Sequence, residues 1–179
     1  MPDHITDDKR RKIETALAAS LLLIYRRQAA LSLAQLGLPV DTGPPDPTVT
    51  QKIGTFAADR AQKIQDGINK RLAAAALVGA VRQAKQEIRD YNRDVLTPYM
   101  ESWSKHQAIV DTFSGVDDPN GDGTMLQSAQ WTWHQLEPFE DECLEAADAS
   151  PASYDEIMAI TSGEPPRHPR CGCWMSAEP

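Results

Sequence analysis

Residues 48–96 read TVTQKIGTFAADRAQKIQDGINKRLAAAALVGAVRQAKQEIRDYNRDVL, a run without a single proline. Within it Leu77, Val81, Ala84, Ile88, Tyr91 and Val95 alternate steps of four and three, the heptad seam of an amphipathic helix that packs along one face. Ile53, Ala57, Ile64, Ile68 and Leu72 continue an apolar stripe upstream. Gly54, Gly67 and Gly79 are the weak points, because an interior glycine costs about 1 kcal/mol relative to alanine. Unbroken, the helix would be on the order of 70 Å long at 1.5 Å per residue and could act as an arm reaching across a large assembly. Turned near Gly67 or Gly79, it would be an ordinary helical hairpin. Both readings are helical, and the pattern alone does not choose.

Working outward, Thr6 or Asp7 can cap a first helix that runs to about Leu36 on the stripe Ile13, Leu17, Ser20, Ile24 and Leu31. Gly37 and Pro39 should end it, since glycine accepts the left-handed position after a helix and proline cannot continue the ladder. Residues 37–47 hold four prolines and two glycines and read as a linker. On the other side Thr97 and Pro98 suggest the start of a new helix, closed at Gly115. His106 falls on its apolar face with Tyr99, Trp103, Val110 and Phe113, the place of a core-edge histidine with a backbone partner. The expected organisation is an N-terminal helix over 1–36, a linker over 37–47, a helical region over 48–116 and a small module over 117–179.

Charge divides the chain in the same direction. Residues 1–100 carry 15 Lys/Arg against 11 Asp/Glu, whereas residues 101–179 carry 3 against 15, for the overall −8. Such polarity favours docking in a fixed orientation on charged neighbours. The acidic half is unsuited to nucleic acid, whose phosphates need Lys and Arg. The apolar run Ala16–Tyr25 is too short to span a bilayer and leads into Arg26-Arg27, not into a cleavage site. Three cysteines, an odd number, do not make a secreted disulfide framework. Cytosolic synthesis and no membrane partner are expected.

All three cysteines lie in the last 37 residues, and His168 sits three positions before Cys171. Thiolate and imidazole are the preferred ligands of tetrahedral zinc, so Cys143, His168, Cys171 and Cys173 form a candidate Cys3His site. A small module with few apolar residues often needs such a staple. Three ordinary thiols, or a disulfide from Cys143 to Cys171 or Cys173, are the alternatives. Trp131 and Trp133 would share one face of a short strand within Gln127–Leu136, paired with Arg170–Met175, with Cys143 in the intervening loop. Ser153–Ile160 reads as a short helix. Asp118-Pro119-Asn120-Gly121-Asp122-Gly123 starts like a calcium loop but has Ala129 at the twelfth position, where the bidentate acid belongs, so it reads as a turn.

The run Pro-Pro-x-His-Pro-x-Cys-x-Cys over residues 165–173, with Trp133, Asp141-Glu142-Cys143 and Tyr154-Asp155-Glu156-Ile157 before it, resembles the C-terminal module of the phage Mu F-like minor head proteins. The resemblance covers residues 131–174, about a quarter of the chain. Two positions depart from the family pattern: Ala146 stands in place of a second cysteine, and Gly172 in place of an arginine. His168 or His134 would then have to supply the missing ligand. The resemblance implies a virion protein at the portal vertex, made in the host cytoplasm, that contacts portal or major capsid protein in multiple copies.

Phosphate-binding loops, a Gly-x-Ser-x-Gly elbow and a His-Glu-x-x-His pair are all missing from the sequence. A thiol- or metal-dependent enzyme using the cysteines with His134 or His168 is one alternative. A cytosolic helical adaptor with a zinc knob is the other. The acidic cluster Glu137, Glu140, Asp141, Glu142 and Glu145 reads as a solvated face. The expectation is a mostly α protein, with long amphipathic helices and a small C-terminal α+β Cys/His module, that works as a non-enzymatic assembly component.

Overall fold

The computed structural model describes residues 4–40, 43–114, 128–135, 141–166 and 173–178. Across them the chain is mostly helical, with one small two-stranded sheet, as its periodicity requires. Its packing divides into two compact units, Met1–Leu23 with Pro44–Asp94 and Ile24–Gly43 with Val95–Pro179. Each unit therefore takes chain from both sides of the Pro/Gly linker, and the first helix serves both.

That first helix, α1, spans Asp7–Gln35. Thr6 is its cap: the hydroxyl accepts from the Lys9 N–H at 3.4 Å. Gly37, with φ +69°, ends it in a Schellman motif, in which the Leu38 N–H reaches Leu33 O (2.9 Å) and the Gly37 N–H reaches Ala34 O (3.1 Å). The next helix, α2, spans Pro47–Leu77, with Pro47 in its first turn and Asp46 accepting from the Thr48 N–H at 2.6 Å.

The proline-free stretch is not one helix. After α2 the chain turns over Val78–Ala80 into α3, Val81–Tyr91. Gly79 takes φ +70°, and the Ala80 N–H closes back on Ala75 O at 2.9 Å. Of the two hinges the sequence offered, Gly79 is used, while Gly54 and Gly67 stay inside α2. The hairpin core is Leu72 and Ala75 against Ala84 and Ile88, with Ile68, Ala80 and Val81 at its edge. Leu77, expected at the head of the heptad seam, is instead the last residue of α2 and 88% exposed. The start of α1 is fastened to α2 in the same unit: Gln65 Nε2 donates to Ile5 O and Asp7 Oδ1, and the Ile5 N–H donates to Asn69 Oδ1 at 2.7 Å.

Thr97 does not cap a fresh helix. The chain passes from α3 through a π-helical segment, Asn92–Leu96, directly into α4, Thr97–Ser114. Pro98 lacks an N–H, and its ring would press on the carbonyl four residues back. Widening the ladder just before the proline relieves that pressure without ending the helix. The expected stop at Gly115 and the Asp118–Gly123 turn lie outside the described residues.

The second unit holds the small α+β module. Strand β1, Gln130–His134, pairs antiparallel with β2, Trp174–Glu178, in the register Trp131 to Ala177 and Trp133 to Met175. The pairing of chain ends is as expected, but the closing strand begins at Trp174, not at Arg170. On its other edge β1 bridges to Ala152, with Trp131 N–H to Ala152 O at 2.7 Å and the return bond at 3.0 Å. Between the strands lie α5, Asp141–Ala149, and α6, Tyr154–Thr161. Cys143 is thus on a helix, where a loop was expected: Asp141 and Glu142 fill its first turn, favourable to the N-terminal end of the helix dipole. Ser153 opens α6 with a capping box, accepting from the Glu156 N–H while the Glu156 carboxylate accepts from the Ser153 N–H at 2.9 Å.

Ile109 and Phe113 of α4, Trp131 and Trp133 of β1, Cys143 and Ala146 of α5, Ile157 of α6, and Cys173, Met175 and Ala177 at β2 form one core. Trp131 is wedged between Phe113 (ring centroids 5.7 Å apart) and Tyr154 (5.1 Å, edge-on). Two bonds close the unit around it: Tyr25 OH to Asp111 Oδ2 at 3.0 Å and Gln35 Nε2 to Ala177 O at 2.9 Å.

Candidate functional site

Period-two alternation in β1 turns Trp131 and Trp133 inward, and helical spacing in α5 sends Cys143 and Ala146 to the same side. Cys143 (1% exposed) and Cys173 (0%) consequently meet in the same core although thirty residues separate them. No disulfide joins Cys143 to Cys173. The Ser102 hydroxyl of α4 donates to the Cys173 carbonyl, which fixes the backbone just before β2. Ala146 is fully buried one turn after Cys143.

His168 and Cys171, the other two members of the candidate Cys3His set, lie outside the described residues. Among the described residues no three His, Cys, Asp or Glu side chains gather closely enough to hold a metal ion. A zinc site on Cys143 and Cys173 would need further ligands from outside the described residues, where the expected Cys171 and His168 lie. His134 does not substitute. It lies on the other face of β1 from the tryptophans, stacked on Trp174 (3.9 Å, 14°), with Nε2 2.8 Å from Ser176 Oγ. Burial pushes its pKa down.

Sequence reasoning placed His106 at the core edge with a backbone partner. It is instead fully buried, and its nearest polar neighbour is a carboxylate: Nε2 lies 3.5 Å from Glu164 Oε2. At 3.5 Å that contact is a long, mainly electrostatic one, and Nδ1 has no hydrogen-bonding partner among the described residues. Glu164 also accepts from Tyr154 OH (2.5 Å) and from Gln107 Nε2 (3.2 Å). His106 foremost, then Tyr154 and Gln107, hold the Glu164 carboxyl down at about 2, against the opposing effect of burial. Burial, reinforced by the Glu164 charge, pushes the Tyr154 phenol well above its ordinary range.

Nothing in the local sequence singles out Glu164, which sits in the Gly163–Pro166 segment far from His106. The only available sign was a histidine on an otherwise apolar face, which needs a partner from elsewhere. A buried imidazole, a carboxylate and a phenol can relay or hold a proton, but the same set also ties α4 to α6. Comparison with protein-family models, with curated proteins and with solved structures finds no match for this chain.

Proposed function

We propose that this chain is a structural assembly protein and, following the Mu F-like resemblance, a minor head protein of a tailed phage that binds portal or coat subunits near the portal vertex. One observation carries the reading. Trp133, Cys143, Ile157 and Cys173, which belong to separate parts of the resembling pattern, share one core in a module whose two chain ends pair as strands. The described residues of that pattern therefore pack as one core. The buried state of both described thiols also suits a structural role, since a cysteine nucleophile needs access to its substrate.

In this reading zinc would be held by Cys143, His168, Cys171 and Cys173 and would contribute directly to folding the module. The helices of the more basic half would meet an acidic surface on the partner, and the acidic C-terminal half would keep away from packaged DNA. Mass spectrometry of purified virions, quantifying this chain against the portal subunit, tests the proposal. A fixed stoichiometry with several copies per particle is expected, together with copurification on the portal ring. Particles free of the chain would overturn it.

A further inference from the structure

The turn of the α2–α3 hairpin is apolar and bare. Ten consecutive residues, Leu72–Val81, carry no charge, and Leu77 and Val78 are 88% and 77% exposed. Ala73, Ala74 and Ala76 are exposed beside them. Behind this tip stand Lys70 and Arg71 on α2 and Arg82 and Lys85 on α3, with no acidic residue between Asp66 and Glu87. Large apolar side chains on a turn lose free energy to water that a partner surface would recover, roughly 25 cal/mol per Å2 covered. They contribute nothing to the hairpin core, which is complete without them.

The complementary surface is on the other unit of the same chain. Helix α5 buries Cys143 and Ala146 and exposes Asp141, Leu144, Glu145 and Asp148. Leu144, 40% exposed, lies within one turn of Asp141 and Asp148, so an apolar side chain is ringed by carboxylates. No lysine or arginine occurs between Lys105 and Arg167 to neutralise that face. An apolar tip with a basic collar and an apolar spot with an acidic rim are matched in both hydrophobicity and sign.

We infer that the tip of the α2–α3 hairpin in one copy docks on the exposed face of α5 in a second copy, with Leu77 and Val78 over Leu144 and with Lys70 and Arg82 against Glu145 and Asp148. The two surfaces differ, so the contact is heterologous. Every copy that joins leaves one tip and one acceptor unused, and association continues until a ring closes or a filament grows. The inference does not depend on the virion reading and would hold for any protein that uses this chain as a building block. The contact is small, which makes it reversible and sensitive to salt.

Sedimentation velocity on the full chain tests it. In low salt the average mass should rise with concentration, and added salt should lower it. Leu77→Asp, at an exposed position that leaves the fold intact by circular dichroism, should weaken association by about tenfold or more, and so should Leu144→Lys. An equimolar mixture of these two variants keeps one working tip and one working acceptor, and it should yield dimers and nothing larger. Lys70→Glu with Arg82→Glu should also weaken association, and adding Glu145→Lys with Asp148→Lys to that chain should restore it. A wild-type chain that is monomeric at every concentration overturns the proposal, as does failure of the four-residue exchange to restore association. A monomer whose tip instead sediments with phosphatidylserine vesicles, and loses them on Leu77→Asp, would reassign the tip to a lipid surface.

Discussion

At the scale of single residues, Glu164 and His106 set the chemistry of the second unit. A carboxyl whose pKa falls from 4.5 to about 2 on folding stabilises the folded state once the pH is above about 4.5, and that stabilisation is lost as the pH falls toward 2. Urea unfolding between pH 2 and 6 should therefore show stability climbing most steeply from about 2 to 4.5, and Glu164→Gln should flatten that climb while lowering stability at neutral pH. An unchanged slope in the variant would mean that His106, Tyr154 and Gln107 do not act on this carboxylate. Trp131 is a different kind of residue, fully buried and packed on Phe113 and Tyr154. Trp131→Ala should cost about 3–5 kcal/mol, enough to unfold the module by circular dichroism at ambient temperature.

At the scale of elements, the three glycines of residues 48–96 show what sequence can and cannot decide. All three lie in a helical pattern, and in each an added Cβ meets nothing in the case of Gly54, Gly67 and Gly79 alike, so space does not distinguish them. Backbone conformation does. Gly79 has φ +70° and Gly67 is helical. Gly79→Ala should destabilise by about 1 kcal/mol because an L-residue resists the left-handed region, whereas Gly67→Ala should stabilise by about 0.5–1 kcal/mol. Thermal unfolding of the two variants should therefore shift in opposite directions, while shifts of the same sign would contradict the hairpin. The ends of α1 and the inward face of β1 were legible because each rests on local spacing: Thr6, Gly37 and the Trp131/Trp133 alternation all appear where the pattern puts them. The π segment was not, since Asn92–Leu96 follows from how the chain accommodates Pro98 within a continuous helix, and a proline equally fits a fresh start. The partnership of His106 with Glu164 was hidden for a related reason, because two residues 58 positions apart meet only once α4 and the end of α6 are packed.

At the scale of the whole molecule, two compact units draw on chain from both sides of one linker, and their cores differ in kind. The first is a helical hairpin whose core is made of local contacts between α2 and α3. The second closes a two-stranded sheet from residues forty or more positions apart, and it does so around two buried cysteines. A small sheet of that kind is marginal by itself, so a metal held by Cys143 and Cys173 would weigh directly on this unit. If Cys171 and His168 complete a zinc site there, elemental analysis should find about one zinc per chain, and a chelator should abolish the tertiary signal of the tryptophans Trp131 and Trp133 while leaving most helicity in place. Near-ultraviolet and far-ultraviolet dichroism recorded on the same chelated sample separate the two units. Thiol titration in denaturant adds the remaining information: three reactive thiols with no zinc would refute the metal, and would leave the core itself, with Trp131 at its centre, as the sole support of the sheet.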